Sequence, residues 1–261
     1  MGALHDGHRS LIRAARLQCD ALVVSIFVNP SQFSPTEDLT TYPRPIARDR
    51  ALCREEGADV CFEPTALAMY PKGFQTTVTV PALARRWEGE ARPLHFAGVA
   101  TVVTKLFGIV QPHLALFGRK DYQQSALVRR LVKDLNLGVT IQVRPTVREQ
   151  DGLAMSSRNI YLTGDERRIA PLLSQALQLG QRMIESGARD VTGIERMMRK
   201  TIEKEPTVHV EYLAVCDRDS LEPLSIVSDR AVLLGAVRIG TIRLIDNLLV
   251  KIPSRKPRTT R

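Results

Sequence analysis

The fold of this chain is decided by its opening stretch, Met1-Gly2-Ala3-Leu4-His5-Asp6-Gly7-His8, which runs directly into the segment Arg9–Gln18. Apolar side chains recur in that segment at helical spacing, so His5 and His8 are predicted on the turn and first coil that open a helix. A helix start presents unpaired N–H groups and about half a positive charge, and two imidazoles add further donors. Gly7 has no Cβ, which allows a flat group such as a nucleobase to lie on the backbone. The stretch therefore predicts an anion site suited to phosphate.

A second polar element, far along the chain, supports this interpretation. Met155-Ser156-Ser157-Arg158 follows the loop 148–152 and places two hydroxyls and a guanidinium on a segment of the kind that closes on polyphosphate. An isolated His-x-x-His is more often a pair of surface residues at a helix cap, and its spacing lacks the i, i+4 pair of a zinc site. The two elements together favour the phosphate site over those alternatives.

The order of strands and helices predicts an α/β fold with a parallel sheet. Ala21–Asn29 is a β-branched run without alternation, which is typical of a strand buried on both faces. The residues between 65 and 91 read as an irregular insertion in which 78–80 is a candidate short strand. Elsewhere, helices and strands alternate, with helices predicted over 44–57, 98–110 and 123–135 and strands over 59–63, 113–117 and 139–143.

Polar residues follow two of these strands at their carboxyl ends, the usual ligand side of an open α/β sheet. After the first strand comes Gln32, which is either a substrate contact or a turn residue with local hydrogen bonds. After the strand 113–117 come Lys120 and Asp121, which can hold phosphate and magnesium, with Gln124 about one turn further. A Lys-Asp pair is also common at helix caps, so these residues alone do not identify the ligand.

The pattern changes near residue 160, which predicts two domains. A long helix over 164–186 and a shorter one over 194–204 precede three strands, at 208–215, 231–237 and 241–245, joined by short turns. We therefore expect a Rossmann-like phosphate-binding domain at 1–160, a smaller α+β domain at 161–252, and a disordered basic tail at 253–261. The composition, 44% hydrophobic and 25% charged, is that of an ordinary globular protein without an apolar run of the ~18–20 residues that a membrane span needs.

Charge and cysteine content narrow the function class. Four of the cationic residues lie in the tail, which leaves about +5 of the net charge of +9 on the rest of the chain. That excess fits an enzyme with anionic substrates, and an aromatic content of 5% offers little stacking surface for bases, so no nucleic-acid partner is expected. The four cysteines are scattered without a Cys-x-x-Cys pair, and the start lacks a secretory pattern, so a cytoplasmic location with free thiols is expected.

The motifs together resemble a known enzyme family. The opening block resembles the His-x-Gly-His signature of nucleotidylyltransferases, and Met155–Arg158 resembles their mobile Lys-Met-Ser-Lys-Ser segment. With the blocks 25–33, 117–124 and 151–159, the chain closely resembles the pantothenate synthetase family up to about Val250. The resemblance implies ATP- and Mg²⁺-dependent condensation of pantoate with β-alanine through a pantoyl-adenylate, with release of AMP and pyrophosphate, by a cytoplasmic homodimer.

The resemblance also implies roles for individual residues. His8 is the residue usually assigned as proton donor, and His5, Lys120 and Arg158 share with it the stabilisation of charge on the reacting phosphate. Gln32 and Gln124 would bind the pantoate and β-alanine substrates, and Asp121 is the candidate Mg²⁺ ligand. The residues expected to contact ATP are Met1, Gly2, Leu4, His5, Gly7, His8, Gly118, Arg119, Lys120, Asp121, Val147, Met155, Ser156, Ser157 and Arg158.

Three positions depart from the usual family pattern, and two other functions compete with the main one. Arg119 replaces a common Glu, Leu94 a common Gly and Ala97 a common Arg, all outside the residues assigned to the chemistry. The competing functions are an adenylate- or cytidylate-forming enzyme with another acceptor, and an RNA-binding module related to tRNA synthetases. The two neutral glutamine amides suit a hydroxy acid better than a phosphorylated acceptor.

The opening block also carries an expectation about the chain's extent. In the family, an apolar strand and a Pro-Thr pair precede the Met-Gly-Ala-Leu-His block, which here starts at residue 1. The first strand of a doubly wound sheet lies centrally. We therefore expect the natural protein to begin about 25 residues upstream, roughly one strand and its lead-in, and the sheet as given to lack its first strand.

Overall fold

The computed structural model describes residues 1–35, 37–250 and 252, and divides them into two compact units. The N-terminal unit comprises 1–149 and 154–160, and the C-terminal unit comprises 150–153 and the residues from Tyr161 onward. The predicted basic tail, 253–261, lies outside the described residues. In the part of the chain that is described, no helix is long and apolar enough to cross a membrane.

The N-terminal unit alternates helices and strands, as predicted. Its helices are α1 (Asp6–Arg16), α2 (Ile46–Glu55), the short α3 (Ala66–Met69), α4 (Pro81–Ala84) and α5 (Glu88–Ala91), then α6 (His95–Val110) and α7 (Tyr122–Asp134). Its strands are β1 (Val23–Ser25), β2 (Val60–Phe62), β3 (Leu114–Gly118) and β4 (Thr140–Arg144). Short 3-10 helices occupy Pro30–Gln32 and Ser157–Tyr161.

The strands of this unit form two parallel pairs. β1 pairs with β2 from the Val23–Val60 register, and β3 pairs with β4 from the Leu114–Thr140 register. Helices α2 and α7, with the segments around them, connect the two strands of each pair in strand–helix–strand order, which confirms the α/β prediction. β1 is shorter than the predicted run 21–29, because only its first half finds a ladder partner among the described residues.

The opening stretch is tied to the end of β1. The Met1 amino group donates to the carbonyl of Ser25 at 2.8 Å, and the amide of Phe27 donates to the carbonyl of Met1 at 2.8 Å. Leu4 and Ile12 are buried in one cluster with Val24 and Ile26 of the β1 region and with Leu52 of α2. The loop that carries both histidines is therefore fixed at the carboxyl end of a parallel strand.

One expectation for the insertion between 65 and 91 is wrong. Residues 78–80 form no strand, because the amide of Val78 donates to the Thr101 hydroxyl of α6 at 2.9 Å instead of joining a ladder. The rest of the insertion is irregular, as predicted, apart from α3, α4 and α5. The insertion is fixed to α7 by the side chain of Gln123, which hydrogen-bonds to the backbone of Leu83, Arg86 and Glu88.

The C-terminal unit is an α+β structure with an antiparallel sheet, as predicted. Its elements are α8 (Gly164–Ile169), α9 (Leu172–Glu185), α10 (Val191–Ile202), β5 (Val208–Asp217), β6 (Ala231–Ile239) and β7 (Ile242–Leu249). The sheet order is β5-β6-β7, and Gly240, with φ of +55°, makes the tight turn between the last two strands. Leu177 of α9, Met198 of α10 and Leu233 of β6 are fully buried in its core.

The single long helix expected over 164–186 is in fact two helices. α8 begins with a capping box in which the Thr163 hydroxyl and the Glu166 carboxylate each accept a backbone N–H, and it ends at Ile169. Pro171 then precedes α9. Proline has no N–H and its ring obstructs the carbonyl four residues earlier, so a continuous helix cannot pass through this position without a kink or break.

Candidate active site

His5 and His8 are held by the backbone of the helix that they cap. The Nδ1 atom of His5 accepts from the amide of Gly7 at 3.1 Å, and the Nδ1 atom of His8 accepts from the amide of His5 at 3.3 Å. The ring centroids lie 4.1 Å apart. A ring nitrogen that accepts a hydrogen bond carries no proton, so each neutral ring carries its proton on Nε2. The loop therefore presents two Nε2–H donors, and neither finds an acceptor among the described residues.

Burial keeps both imidazoles uncharged at neutral pH. Desolvation, with a contribution from the neighbouring His5, lowers the pKa of His8 to about 3. Desolvation also lowers the pKa of His5 to about 4, with a contribution from the charge of Lys120. The pair can therefore donate hydrogen bonds to an anion without carrying a charge of its own before the anion binds.

Gly7 joins the opening loop to the Met-Ser-Ser-Arg segment. A Cβ on Gly7 would lie 2.8 Å from Cε1 of His5 and 3.9 Å from Cβ of Met155. A side chain here would displace the His5 ring, which explains the glycine. The amide of Met155 donates to the carbonyl of Val147 at 3.0 Å. Gly7, Val147 and Met155, all predicted to contact ATP, therefore lie together.

Asp49 of α2 fixes the backbone of the opening loop, a role that the sequence reasoning missed. Its carboxylate is fully buried and accepts from the amides of Ala3 at 2.9 Å and Leu4 at 2.8 Å. Ala3 has a φ of +49°, in the left-handed region that a residue with a Cβ rarely adopts. The two hydrogen bonds hold this strained residue in place and so set the direction in which the chain reaches His5.

Lys120 and Asp121 lie between the end of β3 and the start of α7, as predicted. The Lys120 ammonium nitrogen is 3.5 Å from Oδ1 of Asp121. Burial alone would raise the pKa of Asp121, but the charge of Lys120, with smaller contributions from His95 and His8, holds it below its ordinary value. Leu116 of β3 packs against the cluster that contains Leu4 and Ile12, so the strand that leads to the Lys-Asp pair lies beside the opening loop. Gly118 ends β3, and the amide of Arg119 donates to the carbonyl of Arg144 at 2.8 Å.

Arg158 is bound to a carboxylate of its own unit. Its guanidinium makes two hydrogen bonds to Asp38, at 2.8 and 2.9 Å, and lies over the ring of Tyr42 at 5.3 Å. Burial alone would lower the pKa of Arg158, but Asp38 raises it. The Ser157 hydroxyl is 2.8 Å from the Tyr42 hydroxyl. The segment predicted to contact ATP is therefore held by the loop around residues 38–42.

Gln32 lies in a network of polar groups after β1. The Asn29 side chain, only 3% exposed, donates to Oε1 of Gln32 at 3.3 Å and to the carbonyl of Gly98 at 3.1 Å. The Tyr70 hydroxyl donates to the Asn29 oxygen at 2.8 Å. Gln124, the other predicted substrate contact, is half-buried in the first turn of α7 and makes no hydrogen bond through its side chain to another described residue.

A second ion pair lies against the backbone of Gln32. Arg92 binds both carboxylate oxygens of Glu37, at 2.6 and 3.1 Å, and its guanidinium approaches the Gln32 carbonyl at 3.4 Å. Nδ1 of His95 is 3.2 Å from the same carbonyl, and desolvation, with the charge of Arg92, lowers the pKa of His95 to about 4. His95 thus packs against the loop that carries Gln32 and, like His5 and His8, is neutral at pH 7.

Some of the residues missed by the sequence reasoning left a signal in the pattern. Asp49 shares one helical face with Leu52, Cys53 and Glu56, at spacings of three, four and seven residues. Carboxylates that share a helical face with Leu52 and Cys53 are buried only where they have polar partners. Asn29 and Tyr70 left no such signal, because their contact joins residues 41 positions apart.

Parallel strands that carry a histidine-capped helix start and a Lys-Asp pair at their carboxyl ends give the chain the fold of the nucleotidyl-transfer class of α/β enzymes. The family model described as Pantoate-beta-alanine ligase matches residues 1–249, and the chain is a member of that family.

Two relatives are named pantothenate synthetase, and this chain matches each of them over most of its length. The Pantothenate synthetase of Roseiflexus castenholzii is 52% identical over 251 residues, which cover 96% of this chain and 90% of the relative. The Pantothenate synthetase of Syntrophotalea carbinolica is 51% identical, covering 95% of this chain and 87% of the relative.

Solved structures agree with these relatives. The pantothenate synthetase of Thermus thermophilus matches with a TM-score of 0.94 at 47% identity, covering 96% of this chain and 91% of that one. The Pantoate-beta-alanine Ligase of Francisella tularensis, solved in complex with Beta-gamma ATP and Beta-alanine, matches with a TM-score of 0.78 at 35% identity, covering 95% and 87%.

Proposed function

We propose that this chain condenses pantoate with β-alanine at the expense of ATP, through a pantoyl-adenylate. In the first step a pantoate carboxylate oxygen attacks the α-phosphorus of ATP, and the bond to pyrophosphate breaks. In the second step the β-alanine amine attacks the acyl carbon, AMP leaves, and the amine gives up a proton. Family membership and the ATP and β-alanine complex of the Francisella relative support this assignment.

The observation that carries the proposal is the pair of Nε2–H donors on His5 and His8. Both rings are neutral and have their Nδ1 atoms occupied by backbone amides. During attack on the α-phosphorus, negative charge grows on the phosphoryl oxygens, and preorganised donors bind that growing charge better than they bind the ground state. His8 and His5 would act from the helix start, and Lys120 would act from the end of β3.

ATP binding would use the groups that surround these three residues. The remaining proposed nucleotide contacts are Met1, Gly2, Leu4, Gly7, Gly118, Arg119, Asp121, Val147, Met155, Ser156, Ser157 and Arg158. Arg158 would exchange the Asp38 carboxylate for phosphate oxygens, since its planar guanidinium suits either partner in a two-point contact. No protein nucleophile is required for either step.

Gln32 and Gln124 would bind the hydroxy-acid substrate. Each amide can donate to a carboxylate or hydroxyl oxygen and accept from a hydroxyl, without the cation that a phosphorylated acceptor would call for. This choice separates the proposed reaction from that of an enzyme with the same nucleotide site and a phosphorylated acceptor.

Mg²⁺ is part of the proposal, with Asp121 as its protein ligand. The carboxylate of Asp121 is held ionised beside Lys120, which suits a hard cation. No three His, Cys, Asp or Glu side chains cluster to form a metal site within the described residues. Mg²⁺ bound by one carboxylate, with phosphate oxygens and water as its other ligands, fits that finding and would neutralise phosphate charge.

The setting of the enzyme is also a proposal. We propose a cytoplasmic homodimer, in which residues 1–160 bind ATP and pantoate and residues 161–252 form a lid. The location is supported by the four cysteines, none of which forms a disulfide. Light scattering of the purified chain tests the dimer, and a monomer at micromolar concentration would contradict it.

The decisive experiment separates the two half-reactions. Purified protein with ATP, Mg²⁺ and pantoate is expected to exchange labelled pyrophosphate into ATP, and β-alanine is then expected to discharge the adenylate to pantothenate and AMP. A phosphorylated acid in place of pantoate is the control for the rival acceptor. Exchange that proceeds without pantoate, or only with the phosphorylated acid, would overturn the proposal.

A further inference from the structure

We propose that the Tyr70 hydroxyl is a positioning group for the acid substrate: by donating to Asn29, it reinforces the amide orientation in which Gln32 donates to pantoate. The inference deepens the proposed function, because it rests on Gln32 as a pantoate contact. Tyr70 follows α3, 38 positions beyond Gln32 in sequence, and nothing in the motifs points to it.

The orientation of the Asn29 amide follows from partners that can act in only one way. The amide of Ser31 is a pure donor, and it lies 3.3 Å from the Asn29 oxygen. The carbonyl of Gly98 is a pure acceptor, and it lies 3.1 Å from the Asn29 nitrogen. The Tyr70 hydroxyl at 2.8 Å and the Ser31 hydroxyl at 2.9 Å add two further donors to the oxygen. A flipped amide would face like groups on both sides.

The Asn29 orientation determines that of Gln32. Because the Asn29 NH₂ group faces Gln32, the nearer atom of the Gln32 amide must be its oxygen, at 3.3 Å. The NH₂ group of Gln32 then points away from Asn29 and has no acceptor among the described residues. The backbone of Gln32 is held as well, since its carbonyl contacts Arg92 and His95.

This polarity is the one that a hydroxy acid needs. A carboxylate or a hydroxyl oxygen accepts from an NH₂ group, whereas a reversed amide would present its oxygen to the carboxylate and repel it. The hydrogen bond from Tyr70 is the shortest at the Asn29 oxygen and comes from a half-buried hydroxyl. The Tyr70 ring packs against Phe74 at 5.1 Å and Phe27 at 6.5 Å, so replacement by Phe keeps the packing and removes the hydroxyl, with its hydrogen bond to Asn29 and its 3.1 Å contact with the Ser31 hydroxyl.

The test is a double-mutant cycle of Tyr70→Phe and Gln32→Ala, measured as KM and kcat for pantoate and for ATP. Tyr70→Phe is expected to raise KM for pantoate about three- to tenfold, the range for a lost neutral hydrogen bond, and to leave KM for ATP unchanged. In the Gln32→Ala background the same change is expected to add less than twofold, because the residue through which Tyr70 acts is gone.

Tyr42→Phe is the matched comparison. It removes the same hydroxyl from a tyrosine that contacts Ser157, and it is expected to change KM for ATP rather than KM for pantoate. Thermal melting of each variant shows that it is folded.

The outcomes separate the inference from the function on which it rests. If Gln32→Ala leaves KM for pantoate unchanged, the proposed pantoate contact fails. If Gln32→Ala raises KM for pantoate but Tyr70→Phe does not, the role of Tyr70 alone is wrong. Equal and additive rises from Tyr70→Phe in both backgrounds, or equal rises for pantoate in the Tyr70 and Tyr42 variants, also overturn it.

Discussion

Replacing Asp49 by asparagine tests whether the opening loop is preorganised by α2. The change keeps the size of the side chain but turns one carboxylate oxygen into an NH₂ group. Both oxygens are in use, at 2.9 Å from the Ala3 amide and 2.8 Å from the Leu4 amide. The new NH₂ group must therefore face a backbone N–H.

The magnitude follows from these two contacts. Loss of one charge-assisted hydrogen bond costs about 1.5–3 kcal/mol, and the remaining N–H is left buried without an acceptor. The left-handed Ala3 stores about 1–2 kcal/mol of strain, which the loop can release once one hydrogen bond is lost. Relaxation of Ala3 therefore limits the fall in the free energy of unfolding. It also moves His5 and His8 away from the positions that the opening loop gives them, so the main effect is on catalysis. We expect kcat/KM for ATP to fall by roughly 10- to 100-fold, since each factor of ten corresponds to about 1.4 kcal/mol.

Glu56→Gln is the matched control. Glu56, at the C-terminal end of α2, is also a buried carboxylate, and it binds Arg9 and Arg13 of α1 rather than the loop. Both variants are expected to lower the melting temperature, but only Asp49→Asn is expected to lower kcat/KM for ATP in the pantoate-dependent exchange assay. A change of less than threefold in Asp49→Asn, at a melting temperature similar to that of Glu56→Gln, would refute the reasoning.

Three further predictions concern the site. His8→Ala and Lys120→Ala should each cut adenylate formation by roughly a hundredfold, as for other preorganised donors to a developing anion, and a loss below threefold in both would mean that the site is elsewhere. Gln124→Ala should raise KM for pantoate by about 5- to 150-fold, for a cost of roughly 1–3 kcal/mol, with KM for ATP unchanged; equal effects would indicate a folding defect. The folded pKa of His8, about 3, lies below its unfolded value of about 6.5, so its contribution to stability is complete above pH 6.5 and is lost as the pH falls toward 3. His8→Asn should therefore flatten the slope of unfolding free energy against pH between 6.5 and 4.5 by up to about 1 kcal/mol per pH unit, measured by urea denaturation, and an unchanged slope would contradict the neutral imidazole.

The parts of the fold that could be predicted from the sequence are those set by local pattern. The apolar spacing of α1 and α7 and the β-branched run that holds β1 are local signals, and each led to an element of the right type. The break at Pro171 was readable too, but the strong apolar period on either side of it favoured one helix. The segment 78–80 was misjudged because Thr101, 23 residues away, competes for the Val78 amide.

In the candidate site, too, the residues in local motifs could be predicted and those that act through distant contacts could not. His5, His8 and Lys120 lie in short motifs whose chemistry is visible in the sequence, whereas Asp49 and Tyr70 act through contacts with residues more than 40 positions away. Local pattern specifies which side chains can do chemistry. It does not specify which carboxylate holds a loop, because that depends on how distant elements pack.

The adjacent carboxylates Glu37 and Asp38 show how one loop can serve both substrates. Glu37 forms an ion pair with Arg92, whose side chain is 17% exposed and contacts the Gln32 carbonyl. Asp38 forms an ion pair with Arg158, whose side chain is 31% exposed. A triphosphate carries several negative charges against the single charge of Asp38, so ATP can draw Arg158 away. Pantoate carries one charge and offers Arg92 no such gain over Glu37. In the proposed site the two ion pairs would therefore differ in what displaces them: ATP would displace Asp38 from Arg158, whereas Glu37 would stay paired with Arg92 and support the loop that carries Gln32.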